Sequence, residues 1–301
     1  MGKDLLTISD MTKDEILQLL KDAKELKAMT KNGVINEPLK NKSLAMIFQK
    51  ASTRTRVSFE VGMTQLGGHA LFLDTSTTQM GRGEPICDTA RVLSRYVDCI
   101  MIRTFDQSDV EEFAKFATVP VINGLTDMFH PCQVLCDLLT VMEKREDFLN
   151  LNYAFIGDGN NMANSWIKAA LELGLNLTIA TPVGCEPDPA LLDEIKDHDN
   201  ITVTNDPVKA ATDADVINTD VWVSMGQEAD RDEKLKKFDG FQINAELIKH
   251  AKDDMVIMHC LPVHRGEEVS ADVIDGPHSV IIDQAENRLH IQKSIILSKV
   301  T

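Results

Sequence analysis

The spacing of apolar positions along this chain switches repeatedly between a helical and a strand period, and that alternation predicts the fold class. Thr12-Lys-Asp-Glu15 has the form of a capping box, and Ile16, Leu19, Leu20 and Ala23 follow on one face. A helix is therefore expected from 12 to about 29. Short apolar runs at 43–48, 70–73, 99–103 and 119–122 read as buried strands, separated by helical spacing at 53–66, 84–96 and 132–144. The pattern restarts at Asn152. Strands are expected at 153–157, 177–180, 201–204, 216–219, 256–259 and 280–283, with helices at 162–173 and 189–196 and a closing helix from about 285 to 300. Strands alternating with helices in this way predict an α/β chain of two doubly wound domains with parallel sheets. The charged run 143–147 marks the boundary, giving a first domain of 1–146 and a second of 147–284. Ligands of open α/β sheets bind beyond the carboxyl ends of strands, and most polar motifs here come just after a predicted strand.

Composition narrows the function classes. A chain of 301 residues has room for about two domains, and its core needs no disulfide or metal staple. Apolar and charged fractions of 43% and 26% are those of a globular protein, not of a disordered or coiled-coil chain. No uncharged apolar run approaches the ~20 residues of a bilayer span, and the start Met1-Gly-Lys-Asp-Leu-Leu lacks the pattern of a secretory signal. A cytoplasmic protein with no membrane partner is expected. The 31 basic and 47 acidic residues leave a net charge of −16, which argues against nucleic acid as a partner. An anionic substrate must then be captured by a local positive cluster against the overall field. The cysteines Cys87, Cys99, Cys132, Cys136, Cys185 and Cys260 form no C-x-x-C pair, so reduced thiols are expected. Cys132 and Cys136 lie four apart on a predicted helix, and no second pair completes a zinc site, so they read as packing residues and no metal is expected.

Seven motifs carry possible chemistry. Ser52-Thr-Arg-Thr-Arg56 follows a strand and opens a helix. Free N–H groups, hydroxyls and guanidiniums there make either an anion site suited to phosphate or a plain cap with solvated arginines. It lacks the glycines and lysine of a P-loop. Arg103 ends the 99–103 strand and is of interest as a second arm of that site. In His130-Pro-Cys-Gln133 a histidine is held ahead of a helix-starting proline, where it is either structural or aimed at a carbonyl oxygen, with Gln133 as a further polar contact. Gly157-Asp-Gly-Asn-Asn161 sits where a dinucleotide fingerprint would, but Met162 breaks G-x-G-x-x-G, and the asparagines better suit a zwitterion or carboxylate. Asp220-Val-Trp-Val-Ser-Met-Gly-Gln-Glu228 is either a polar turn or a holder of an ammonium group. In His259-Cys-Leu-Pro262, neighbouring strand residues face opposite ways, so Cys260 reads as a contact to a substrate amine and not as a nucleophile activated by His259. Glu286-Asn-Arg288 opens the last predicted helix.

In this order the motifs S-T-R-T-R, H-P-C-Q, G-D-G-N-N, D-x-W-x-S-M-G, H-C-L-P and E-N-R resemble those of the aspartate/ornithine carbamoyltransferase family, the last four those of its ornithine branch. The resemblance spans essentially the whole chain. It implies an active site in the cleft between two α/β domains, a helix 285–301 that crosses back to the first, and a homotrimer, or a multiple of trimers, with active sites between subunits. By the resemblance, Ser52, Thr53, Arg54 and Thr55 bind the phosphate of carbamoyl phosphate. Arg103, His130 and Gln133 contact the phosphate and the carbamoyl oxygen, Arg288 closes on the same substrate, and Gln79 reaches that of a neighbouring subunit. Asn161, Asp220, Ser224 and Met225 bind L-ornithine, with Cys260 and the Leu261 backbone near its δ-amine. Cys260, Arg103 and His130 are the expected catalytic residues. The implied reaction carbamoylates ornithine to citrulline, in arginine biosynthesis or breakdown, with no cofactor. Aspartate and putrescine are the alternative acceptors. The first calls for basic residues in the second domain, where Asp220 and Cys260 stand. The second leaves Asn161 and the S-M-G turn without a carboxylate to bind.

Overall fold

A computed structural model describes residues 2–223 and 231–301. The chain divides into two compact units, Met1–Leu139 with Glu286–Thr301, and Thr140–Ala285. In the first, α1 (Lys13–Lys31) leads to β1 (Ser43–Phe48), α2 (Thr53–Gln65), β2 (His69–Asp74), α3 (Ile86–Leu93), β3 (Cys99–Arg103), α4 (Gln107–Phe116), β4 (Val121–Leu125) and the greater part of α5 (Pro131–Lys144), whose residues from Thr140 on fall in the second. The second holds β5 (Asn152–Ile156), α6 (Asn161–Leu173), β6 (Asn176–Ala180), α7 (Pro189–Glu194), β7 (Ile201–Thr204), α8 (Pro207–Ala211), β8 (Val216–Thr219), α9 (Arg231–Lys237), β9 (Val256–His259) and α10 (Ala271–Ile274). The last helix, α11 (Ile281–Val300), gives most of its length to the first unit.

Both sheets are parallel, with orders β2-β1-β3-β4 and β7-β6-β5-β8-β9. Each reverses winding direction once, between β1 and β3 and between β5 and β8. Crevices at such points are where open α/β sheets bind ligands. The central strands β1 and β3 bury both faces, so their sequences are nearly continuous apolar runs, whereas the edge strands β2 and β7 are partly exposed. Ala45, Ile47, Ile100, Ile102, Val110 and Phe113 share one core. Ile156, Ile217, Trp222, Phe238 and Ile257 share the other, where Trp222 and Phe238 stack at 4.8 Å.

Local chemistry sets the helix starts. Thr12 and Glu15 close the expected capping box, the Thr12 N–H donating to the Glu15 carboxylate at 2.9 Å. Pro85 delays α3 to Ile86, two residues after the expected start, and Pro120 places β4 later than 119–122. Two readings are corrected. Residues 280–283 are not a strand: Ser279 makes a single bridge to Ile257, and α11 starts at Ile281. The run Val280-Ile-Ile is apolar because it leads into a helix that is mostly buried. The helix α4 lies where no element was expected; its sequence QSDVEEFAKF buries just Val110 and Phe113. Among the described residues no helix is long and apolar enough to cross a membrane.

Ile257 is fully buried in the second core. Ile257→Ala should lower stability by about 2–5 kcal/mol through lost burial and the cavity left behind. Urea unfolding followed by tryptophan fluorescence checks this, because Trp166 and Trp222 both lie in that unit.

Candidate active site

In the first unit the motifs converge at the carboxyl ends of β1 and β3. Ser52 caps α2, its hydroxyl accepting the Thr55 N–H at 3.3 Å and donating to Thr55 Oγ1 at 3.0 Å. Thr53 and Arg54 are exposed on the first turn, beside N–H groups with no intrahelical acceptor. Arg56 is a correction to the motif reading: its guanidinium donates to Glu60 at 3.0 Å and covers the Phe72 ring at 3.8 Å. Of the motif's two arginines, Arg54 lies on the first turn of α2 and Arg56 on Glu60 and Phe72.

Arg288 ties three motifs together. It is 4% exposed, donates to Thr55 Oγ1 at 2.9 Å through one terminal nitrogen, and hydrogen-bonds Gln133 Oε1 through the other. Gln133 in turn donates to Asp137 at 2.8 Å. Both partners of Arg288 are neutral; among the described residues no carboxylate pairs with it, and its Nε has no acceptor. Arg103 is buried at the end of β3, its carbonyl accepting the Gln49 N–H at 2.8 Å. His130 is buried within the field of Arg288 and Arg103. Burial, helped by those two cations, holds its imidazole well below the ordinary histidine range, so at neutral pH it is an uncharged ring with one N–H to give. Ser52, Thr55, Arg288, Gln133, Arg103 and His130 thus form one cluster. Gln79 does not join it. It is exposed between β2 and α3, and its side chain makes no hydrogen bond among the described residues.

In the second unit the motifs follow β5, β8 and β9. Gly159 is needed for packing: its N–H donates to Cys185 O at 2.8 Å, and a Cβ there would lie 2.2 Å from the Glu186 carbonyl carbon. Asn161 begins α6, half-buried. Asn160, which the motif reading grouped with Asn161 as suited to a zwitterion or carboxylate, caps that helix through Met162 N at 2.9 Å and donates to Asp220 Oδ2 at 3.0 Å. Its position just before the first helical residue was the signal. The other Asp220 oxygen accepts the Cys260 thiol at 3.0 Å. His259 turns the other way, toward Glu268 Oε1 at 3.1 Å, and its Nδ1 accepts the Leu261 N–H at 2.9 Å. That pattern places the imidazole proton on Nε2. It fixes Leu261, whose φ of +61° is unusual for a side chain of this size. Nothing in the spacing pointed to Glu268. Ser224 and Met225 lie outside the described residues.

Asp220, His259 and Cys260 bring ligand atoms within 4.8 Å of one another, as do His264, Glu267 and Glu268. In the first group both His259 nitrogens are already engaged. In the second Glu267 pairs with Arg231 and Glu268 accepts from the His264 N–H and from His259. A metal would have to displace these bonds.

Residues 3–143 match the carbamoyl-P binding domain, and residues 149–298 the Asp/Orn binding domain, of the aspartate/ornithine carbamoyltransferases. The chain belongs to the aspartate/ornithine carbamoyltransferase family. The ornithine carbamoyltransferase of Syntrophotalea carbinolica is 56% identical, with 98% of each chain covered. That of Archaeoglobus fulgidus is 54% identical, covering 98% of this chain and 96% of its own. The solved ornithine carbamoyltransferase from Pyrococcus furiosus superimposes with a TM-score of 0.93 at 54% identity, over 98% of this chain and 96% of that one. Within this carbamoyltransferase chain, Arg288 falls in the stretch matching the Asp/Orn binding domain, yet it packs in the first unit against Thr55 and Gln133.

The state of His130 gives a pH prediction. Its folded pKa lies below the unfolded value of ~6.5, so the unfolded chain takes the proton first. The stability it contributes is complete above about pH 6.5 and is lost as pH falls below it. Urea midpoints read by circular dichroism should drop between about pH 7 and pH 5. His130→Gln should flatten that slope; an unchanged slope would contradict a neutral buried imidazole.

Proposed function

We propose that this chain transfers the carbamoyl group of carbamoyl phosphate to the δ-amine of L-ornithine, releasing L-citrulline and phosphate. The observation that carries the reading is the buried Arg288 guanidinium held by the neutral Thr55 and Gln133 beside an uncharged His130. The names of the relatives support the same activity. Residues 1–146 with 285–301 take carbamoyl phosphate, and residues 147–284 take ornithine.

The phosphate settles on the α2 N-terminus, with Ser52, Thr53 and Thr55 as hydroxyl donors and Arg54, Arg103 and Arg288 supplying charge. His130, with Gln133 nearby, gives its N–H to the carbamoyl oxygen. An imidazolium would be repelled by the same arginines, so the neutral ring is the form that belongs there. Ornithine's δ-ammonium, with a solution pKa near the ~10.4 of lysine, meets Asp220 and Cys260, which guide one of its protons away to solvent before the neutral amine attacks. Asn161, Ser224 and Met225 take the α-amino acid end, and the Leu261 backbone lies beside the amine. The nitrogen lone pair then forms the new C–N bond while charge gathers on the carbamoyl oxygen. Each donor to such an oxyanion is worth ~2.7–4 kcal/mol in other enzymes. The C–O bond to phosphate breaks as the intermediate collapses, and the departing phosphate accepts one of the two protons on the now cationic nitrogen, which keeps the other in citrulline. No cofactor enters any step.

We further propose a homotrimer, or a multiple of trimers, in which Gln79 reaches the carbamoyl phosphate of a neighbouring subunit. Its exposure, that of Leu71 on the edge strand β2, and that of Val92 and Tyr96 beyond it support this reading; Tyr96 is 73% exposed. The reaction is placed in the cytoplasm.

A citrulline assay with carbamoyl phosphate and a panel of ornithine, putrescine, N-acetylornithine and aspartate tests the acceptor. Ornithine should be carbamoylated at least about 100-fold faster in kcat/KM than the others, since putrescine lacks the α-carboxylate, N-acetylornithine the α-ammonium and aspartate the δ-amine. Comparable turnover of aspartate would defeat the reading. Arg54→Ala should lower kcat/KM by ~10²–10³ while leaving circular dichroism unchanged, as expected for loss of one charge-directed donor. A variant with near-normal turnover would remove Arg54 from the phosphate site.

A further inference from the structure

A second buried carboxylate stands beside Asp220, on the G-D-G-N-N turn. Strands β5 and β8 are neighbours, with Phe155 opposite Asn218, so the turns that follow them run side by side. A Cβ on Gly157 would lie 3.2 Å from Thr219 Oγ1 and 3.8 Å from the Asp220 carbonyl oxygen. Asp158 comes next in the chain and is 7% exposed, against 8% for Asp220. Its partner is Lys234 of α9, whose ammonium donates to Asp158 Oδ2 at 2.6 Å. The pair is largely out of water, the lysine side chain being 18% exposed. Burial raises the Asp158 pKa; Lys234 opposes that shift and the charge of Asp220 adds to it. Lys237, on the same helix, also acts on this carboxylate but is exposed, where water screens its charge.

These three charges set what the second unit offers to an acceptor. Lys234 cancels Asp158. Asp220 meets neutral donors, the Asn160 amide and the Cys260 thiol, so its charge is still on offer. One net negative charge suits an acceptor with one net positive charge. Ornithine fits, because its α-ammonium and α-carboxylate cancel and the δ-ammonium is left over. Without Lys234, two carboxylates would stand on adjacent turns, Asp158 on the one that leads to Asn161. They would repel an α-carboxylate and draw a second ammonium, and the better acceptor would be a diamine such as putrescine. Specificity comes from built-in penalties of this kind as much as from attraction, and like charges brought together away from water are costly.

We propose that the Asp158–Lys234 ion pair determines acceptor specificity, by cancelling a buried carboxylate that would otherwise favour a diamine over an α-amino acid. The inference rests on the carbamoyl-transfer reading above. The ratio of kcat/KM for ornithine to that for putrescine tests it, measured at about pH 8.5, above the range of all but the most deeply buried carboxylates. Lys234→Met should lower this ratio at least about tenfold, chiefly through a higher KM for ornithine. Removing the partner as well, in Lys234→Met with Asp158→Asn, should bring the ratio back to within about threefold of the wild-type value. Asp158→Asn alone leaves Lys234 uncancelled and should raise the ratio, which keeps the test decisive even if the first variant does not fold. A merely structural pair would lower turnover of both acceptors together and would not be repaired by losing its second member. A ratio that none of these variants moves, or a fall in Lys234→Met that Asp158→Asn leaves unrepaired, overturns this inference alone when the wild type carbamoylates ornithine. A wild type that does not carbamoylate ornithine overturns the reading beneath it, and the inference with it.

Discussion

The first unit is organised around a buried guanidinium, that of Arg288, which no carboxylate among the described residues pairs with. Arg288 is held by a threonine hydroxyl and a glutamine carbonyl in a chain with 47 acidic residues. Asp137 stands one residue removed, behind Gln133. An ion withdrawn from water without a counter-ion costs several kcal/mol, so the arrangement makes sense when a ligand brings the opposite charge. A carboxylate in direct contact with Arg288 would remove that cost in the empty protein and, with it, much of the attraction for an anion. The neutral imidazole of His130 belongs to the same economy of charge. The field that would bind a phosphate also forbids a proton on the ring, so the group facing the carbamoyl oxygen is a hydrogen-bond donor that brings no extra cation.

Topology places these groups without strain in the strands themselves. In each sheet the winding direction reverses between two central strands, and the loops that follow those strands diverge to opposite faces. Ser52 comes after β1 and Arg103 ends β3; Gly157–Asn161 and Asp220 come after β5 and β8. The central strands β1 and β3 are buried, and of their residues just Arg103, at the very end of β3, carries chemistry. Selection on function can thus act on loops and helix starts while the apolar runs hold the frame.

The same division decides what could be read from the sequence. The bounds 43–48, 99–103, 201–204, 216–219 and 256–259 are those of β1, β3, β7, β8 and β9; in β1 and β3 this is because a strand buried on both faces is a nearly uninterrupted apolar run between polar turns, and in β7 because Ile201 and Val203 alternate with threonines. Helix α4 was invisible for the opposite reason: two buried residues in ten leave almost no period to detect. The run 280–283 misled because apolar residues leading into a buried helix look like a strand end. At the site, the motifs located the side chains but not their partners. S-T-R-T-R cannot say that Arg56 turns to Glu60 and Phe72, because that depends on where β2 puts a phenylalanine. Nor could E-N-R alone show Arg288 on Thr55, 233 residues away in the chain. Such contacts are set by tertiary packing, to which local spacing is blind.

The second unit solves the complementary problem of holding a cation's counter-charge without quenching it. Asp220 is buried, yet both its oxygens face donors that carry no full charge, the Asn160 amide and the Cys260 thiol. A lysine at either position would neutralise the carboxylate permanently. An amide and a thiol stabilise the anion in the empty protein and can still yield when an ammonium arrives. His259 could have competed for the thiol proton, but Glu268 and the Leu261 N–H hold both of its nitrogens on the other side of the strand. That leaves Cys260 oriented by a carboxylate and not by a base, the arrangement suited to guiding an amine's proton and unsuited to forming an acyl-thioester.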